Sequence, residues 1–340
     1  MTSPFIVLGV NYGGHDTSAA LMRDGKLLAA CEQERYTLDK HSRRFPKEAI
    51  QDCLDTAGIT LAEVDELAFA FQPLYHIREA YLRPALEDTE RIGVLVEDID
   101  RIRENYGSED LIREQIGYKG KIEFYHHHLC HLASAWYPSG FPEALVVSYD
   151  GIGEIETGLM AVGKQGSLEV FHDGTRYPDS FGLLYSAVTA YLGWRHHCDE
   201  GIVMGLASYG KPYNLVSGDG RSYYAVFEEI IEETGNYDYR INREWIAYHQ
   251  ERDKWVSDKF CSVFGENRTA EDPVTDHHKN IAAALQMRLE KLILKQLSYA
   301  RKQTQLNRLC LSGGVALNCS LNGKIEQSRL FDEIFVQPAS

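Results

Sequence analysis

The stretch YHHHLCHLASAW, residues 125–136, sets His126, His127, His128 and His131 around Cys130. On a helix beginning there, side chains four apart stack one turn above each other at roughly 5–6 Å. His127 and His131 then offer two imidazoles to one metal ion, and His128 with His131, three apart, does the same in the other register. The alternative is a half-buried helix whose histidines only hydrogen-bond. Three turns hold the other chemistry-bearing types: Asn11, His15 and Asp16 in NYGGHD; Asp150, Gly151, Gly153 and Glu154 in YDGIGE; Gly313, Gly314 and Asn318 in LSGGVALN. Glycines and short polar side chains form turns in their own right. A strand running into Gly-Gly and then a helix also turns backbone N–H groups toward a phosphate, with Asn318 one turn into that helix, facing ligand or solvent. In WRHHCDEG, the neighbours His196, His197, Asp199 and Glu200 diverge, so one or two at most address a single site. TDHHKN reads as a helix start capped by Thr275 or Asp276. KHSRR reads as a solvated run from which Lys40 and His41 reach an anionic ligand.

The elements that position these residues are written twice. FIVLGVNY, TSAALMR and KLLAACEQE alternate apolar residues between Gly-rich turns and predict an antiparallel meander; ALVVSYDGIGEIETGLMAVGKQGSLEVF repeats the scheme. His15 and Asp16 fall at the turn equivalent to Asp150 and Gly151. A helix follows in FPKEAIQDCLDTAGI, with Pro46 at its start and Gly58 as C-cap, and then a strand in VDELAFAF. Hairpins followed by alternating helix and strand predict a duplicated α/β fold, two halves facing a cleft, with boundaries at 1–140 and 141–340. SFGLLYSAVTAYLGW reads as a buried helix and DEGIVMGLASYGKP as helix and turn, whereas 213–275 reads as an insertion of short elements. NIAAALQMRLEKLILKQLSYARKQ has a strong 3.6-residue period. RLCLSGG, VALNCSLNGKIEQS and EIFVQPAS follow as strand, helix and strand.

A chain of 340 residues exceeds one ordinary core, and 44% hydrophobic with 25% charged residues is a globular composition. No run of about 18 apolar residues predicts a membrane span, and the amino-terminal segment lacks a signal peptide's basic region, so a cytoplasmic protein is expected. Seven scattered cysteines without C-x-x-C spacing predict free thiols. The net charge of −15 works against nucleic-acid partners and favours a small molecule.

Taken in order, LGVNYGGHDTSAALMRDGKLLAACEQERYTLDKHSRRFP, HHHLCHLASAWYPSGF, VVSYDGIGE, SFGLLYSAVTAYLGW, DEGIVMGLASYGKP and LSGGVALNCSLNGKI resemble the O-carbamoyltransferases of the NodU/CmcH type. The resemblance implies the ASKHA fold of actin, sugar kinases and the tRNA threonylcarbamoyl enzymes, with ATP or carbamoyl adenylate in the cleft. It implies that His127 and His131 ligate a divalent metal, iron(II) or else Mg2+, and that His15, with Asp16 and Asp150, lines the active site, His15 acting as base. It further implies nucleotide contacts from Asn11, Lys40, Asp150, Gly151, Gly153, Glu200, Gly313, Gly314 and Asn318. Carbamoyl phosphate is the donor and a small-molecule hydroxyl the acceptor, in secondary-metabolite or nodulation-factor biosynthesis. A third metal ligand, an Asp in a Gly-rich turn, and a YrdC-like domain are expected beyond FVQPAS, where the sequence stops. Ile202 stands where the family commonly has Lys. The competing readings are another ASKHA enzyme, such as a kinase or tRNA threonylcarbamoyl transferase, and a non-catalytic nucleotide- or metal-binding remnant.

Overall fold

The computed structural model describes residues 4–14, 16–251 and 253–340. His15, the expected base, lies outside the described residues. Contacts divide the chain into 1–130 and 131–340, ahead of the 140/141 boundary expected from sequence. The first unit carries strands β1 (Ile6–Asn11), β2 (Ser18–Arg23), β3 (Lys26–Glu32), β4 (Glu66–Phe69) and β5 (Lys121–Phe124) in the order β3-β2-β1-β4-β5. The second carries β6 (Glu143–Tyr149), β7 (Gly158–Lys164), β8 (Ser167–His172), the hairpin β9 (Ile231–Glu233) and β10 (Tyr239–Ile241), then β11 (Arg308–Ser312) and β12 (Glu333–Val336). Its main sheet runs β12-β11-β6-β7-β8.

These two orders are one topology. Each sheet has an antiparallel three-strand meander extended by two parallel strands beside its first strand. Even the irregularity recurs, at Leu21/Met22 in β2 and at Met160/Ala161 in β7. This is the duplicated α/β architecture that the repeated hairpins predict.

The two sheets are buried differently. In β1 only Ile6, Leu8 and Val10 are buried, the alternation of a strand covered on one face. In β6, Ala144 to Tyr149 are all buried. Leu145 and Val147 join a cluster with the helix Asp276–Thr304, whose Ile281, Leu285, Leu289, Leu292 and Leu297 follow the helical period. Ala144 and Val146 pack on the opposite side against Leu132, Ala135 and Trp136 of the helix His127–Ser139. Trp136 lies over Gly163, where a Cβ would come within 2.6 Å of its ring.

Residues 213–275 are short elements as expected, but they are core rather than appendage. Val226, Phe227, Ile230, Ile231, Trp245 and Phe260 are buried in the same cluster as β6. The sequence shows no period there because helix, hairpin and single turn each contribute one or two aromatic or branched residues from a different direction.

Candidate functional site

The helix His127–Ser139 fixes its histidines by what its other face buries. With Leu132, Ala135 and Trp136 against β6 and β7, His131 turns toward the end of β6, and its Nε2 lies 3.1 Å from Asp150 Oδ2. His127 is one turn earlier on the same helix. Donor atoms of His127, His131 and Asp150 all lie within 4.8 Å of one another, a group that could hold a metal ion. His128 is fully buried, and its ring packs edge-on against that of His127.

Asp150 is held from two further sides. Its Oδ1 accepts the Gly314 N–H at 2.9 Å, and its own N–H donates to Thr157 O at 3.0 Å. Gly313 stands at φ +85° with room for a Cβ only 2.3 Å from Tyr149 O, so the close approach of this turn to β6 requires glycine. Behind the turn, Ser180 caps the helix Phe181–Tyr191: its Oγ accepts Leu183 N–H at 3.0 Å and donates to Gly151 O at 2.6 Å. Gly182 permits this contact, since a Cβ there would lie 2.7 Å from Gly151 N and Cα. Ser180→Ala is expected to cost about 1–2 kcal/mol in urea unfolding, because it removes a cap and the hydrogen bond to the part-buried Gly151 carbonyl.

Asn318 departs from expectation. Gly314–Leu317 winds as a 3-10 turn, so the α-helix begins only at Cys319, with Asn318 as its N-cap accepting Leu321 N–H at 2.9 Å. Its side chain faces the protein rather than ligand or solvent: Nδ2 donates to Gln286 Oε1 at 2.9 Å, and Oδ1 accepts from Gln286 Nε2 at 3.0 Å. Tyr185 donates to the same Gln286 oxygen and Tyr149 to Gln296; burial pushes both phenols up, keeping them neutral donors. Asn318 thereby ties the Gly-Gly turn to the long helix.

The other sequence candidates fall into three places. Gly151 and Gly153 shape the Asp150 turn, which closes through Gly153 N–H to Glu156 O at 2.9 Å. Glu200 opens the helix Glu200–Ala207 and accepts from Ser186 Oγ and His197 N–H, both at 2.6 Å. In the first unit, Asn11 at the end of β1 donates from Nδ2 to Asp16 O at 3.0 Å, and Lys40 is exposed in the loop beyond β3. His196 and His197 pack on Trp255, and His277 bonds Phe264 O and Tyr223, so these pairs have structural partners.

Asp150 is expected from sequence to line the active site, and the structure brings its carboxylate beside the His131 ring, a neighbour the sequence does not announce. The signal for the active-site expectation was its place in the duplicated turn. A pair of imidazoles beside a carboxylate that accepts the Gly314 N–H is a candidate metal site, and over residues 6–340 the chain matches the family described as carbamoyltransferase N-terminus.

The chain belongs to the carbamoyltransferase family. An uncharacterized Synechocystis protein is 33% identical over 98% of this chain and 54% of its own length. Nodulation protein NolNO of Sinorhizobium fredii is 35% identical over 96% of this chain and 44% of its own length. Nodulation protein NolO of Bradyrhizobium diazoefficiens is 40% identical over 63% of this chain and 35% of its own. The chain thus spans about half the length, or less, of the relatives it matches. Among solved structures, component A of Acidaminococcus fermentans (R)-2-hydroxyglutaryl-CoA dehydratase is 12% identical, with a TM-score of 0.44 over 98% of this chain and 92% of that one. HypF of T. kodakarensis is 12% identical, with a TM-score of 0.45 over 98% of this chain and 45% of that one. Among the described residues, no helix is long and apolar enough to cross a membrane.

Proposed function

We propose that this chain is the part of an ATP-dependent O-carbamoyltransferase that passes a carbamoyl group to a hydroxyl, with a divalent metal held by His127, His131 and Asp150. The convergence of those three donors carries the reading. Two imidazoles and one carboxylate fit Fe2+, and also Mn2+ or Zn2+, whereas Mg2+ prefers an all-oxygen set. When bound, such an ion supplies positive charge to a carbamoyl or phosphate oxygen.

The chain's own residues account for the rest. The Gly314 N–H and the His131 ring orient Asp150 toward the donors. The turn 150–157 and Gly313-Gly314 present backbone to the nucleotide, ATP or carbamoyl adenylate formed from carbamoyl phosphate. In the transfer, the acceptor hydroxyl oxygen bonds the carbamoyl carbon, the bond from that carbon to the phosphate oxygen breaks, and AMP leaves. His15 takes the hydroxyl proton, with Asp16 beside it in sequence. A net charge of −15 favours a small hydroxylated acceptor, such as a sugar, over tRNA. Seven free cysteines suit a cytoplasmic setting.

The test uses the parent-length protein with ATP, labelled carbamoyl phosphate and a panel of sugars and other hydroxylated acceptors. Label in an O-carbamoyl product, lost in Asp150→Asn, is the expected result; label entering tRNA alone overturns the assignment. For this chain by itself, calorimetry with ATP or ADP and Mn2+ is expected to give weak binding. No heat at millimolar nucleotide counts against the nucleotide contacts.

A further inference from the structure

We propose that Asp16, Glu34 and His41 form a second divalent-cation site, built wholly from the first unit and suited to a transition-metal ion of the Mn2+ or Zn2+ class. One donor atom from each lies within 4.8 Å of the others. His41 Nδ1 is 2.8 Å from Asp16 Oδ1, and Glu34 Oε2 accepts the His41 N–H at 2.9 Å. Donors bound tetrahedrally at ~2.1 Å lie about 3.4 Å apart, so donors now within 4.8 Å of one another close by up to about 1.4 Å to complete the site.

The three donors come from separate segments: the turn between β1 and β2, the start of the helix Glu34–Thr37, and the loop that follows it. Two buried polar residues stitch these segments together. Thr17 donates from N to Ser42 O at 3.2 Å and from Oγ1 to Arg44 O at 2.7 Å. Gln33 donates from N to Thr17 O at 2.8 Å, and its Oε1 accepts Ala49 N–H at 3.2 Å. The cluster is therefore preorganised rather than an encounter of mobile surface chains. Side-chain exposures of 39% for Asp16, 25% for His41 and 18% for Glu34 leave a path for an ion while removing the donors from most of the water.

Charge points the same way. Two carboxylates face one imidazole, and Glu34 Oε1 lies 3.5 Å from the exposed Arg35 guanidinium. Even with the ring protonated, the three groups sum to −1. A dication bound by the two carboxylates and a neutral imidazole brings the cluster from −2 to zero. In the second unit, too, an aspartate of the equivalent turn meets an imidazole: Asp150 Oδ2 lies 3.1 Å from His131 Nε2.

The experiment strips the chain with chelator and titrates it with Mn2+, following free Mn2+ by electron paramagnetic resonance. The unsubstituted chain is expected to bind two ions, and His127→Ala/His131→Ala to keep the ion at the first-unit cluster. Glu34→Gln/His41→Ala is expected to lose it, with at least about tenfold weaker binding, the loss seen even for outer-shell partners. If that variant binds Mn2+ with unchanged stoichiometry and affinity, the site is overturned. Should it fail to fold, Mn2+ added to the unsubstituted chain decides by NMR: selective broadening of the His41 ring resonances supports the site, and their persistence at saturating ion refutes it. Failure of the His127–His131–Asp150 centre removes a different ion and leaves this result readable.

Discussion

Asp150→Asn is expected to weaken divalent-metal binding at the helix His127–Ser139 by about 100-fold or more, measured by metal analysis after dialysis and by Mn2+ or Fe2+ titration. The substitution keeps the side chain's shape, and an amide oxygen can still accept the Gly314 N–H that now bonds Oδ1 at 2.9 Å. What it removes is the charge beside His131 Nε2, 3.1 Å away. Loss of an outer-shell partner already costs about 10–100-fold in affinity, so loss of an anionic donor lies at or beyond that range. Thermal unfolding separates this from misfolding, since the turn's backbone bonds, Asp150 N–H to Thr157 O and Gly153 N–H to Glu156 O, do not involve the carboxylate. An affinity within about threefold of the unsubstituted chain would place the metal elsewhere. In the parent-length protein the same variant is expected to lose carbamoyl transfer.

The duplicated hairpins were legible because period-2 strands and Gly-rich turns are local signals. Pro46 and Gly58 bracket their helix as the capping rules require, Gly58 in the left-handed conformation at φ +65°. What escaped was non-local or depended on phase. The 3-10 turn Gly314–Leu317 delays the helix by one turn and swings Asn318 from the expected surface onto Gln286. Helical turns across 73–116, between β4 and β5, expose Leu74, Leu86 and Val96, and so show no clean apolar stripe. Glu34 meets His41 only because Thr17 and Gln33 draw two loops together, and nothing in EQER announces it. The contact of Asp150 with His131 was not legible, since it joins a helix to a strand end across 19 residues.

Gly313→Ala is expected to destabilise the chain by about 3 kcal/mol or more in denaturant unfolding, the largest single effect among the glycines of this turn. Two costs add. At φ +85° and ψ 159°, an extended positive-φ region that is essentially glycine's alone, an L-residue pays about 1–3 kcal/mol. The new Cβ would also sit 2.3 Å from Tyr149 O and 2.8 Å from Tyr149 C, backbone atoms of the central strand β6 that no rotamer change can move; overpacking of this kind costs typically 1–3 kcal/mol. Relief requires the turn to lift off β6, which pulls the Gly314 N–H away from Asp150, so metal affinity is expected to fall together with stability. Gly314→Ala isolates the second effect: its Cβ would meet only the Asp150 Oδ1 side-chain atom at 2.9 Å, at ordinary φ, so stability should change by about 1 kcal/mol while metal binding weakens. Gly323, inside the helix Cys319–Gln327 with nothing within 4 Å of its Cβ position, reverses the sign. Gly323→Ala is expected to stabilise by about 0.5–1 kcal/mol, since alanine restricts the unfolded chain and favours helix. Equal, small effects from Gly313→Ala and Gly323→Ala would show that the turn does not press on β6, and with it the placement of Asp150 would fail.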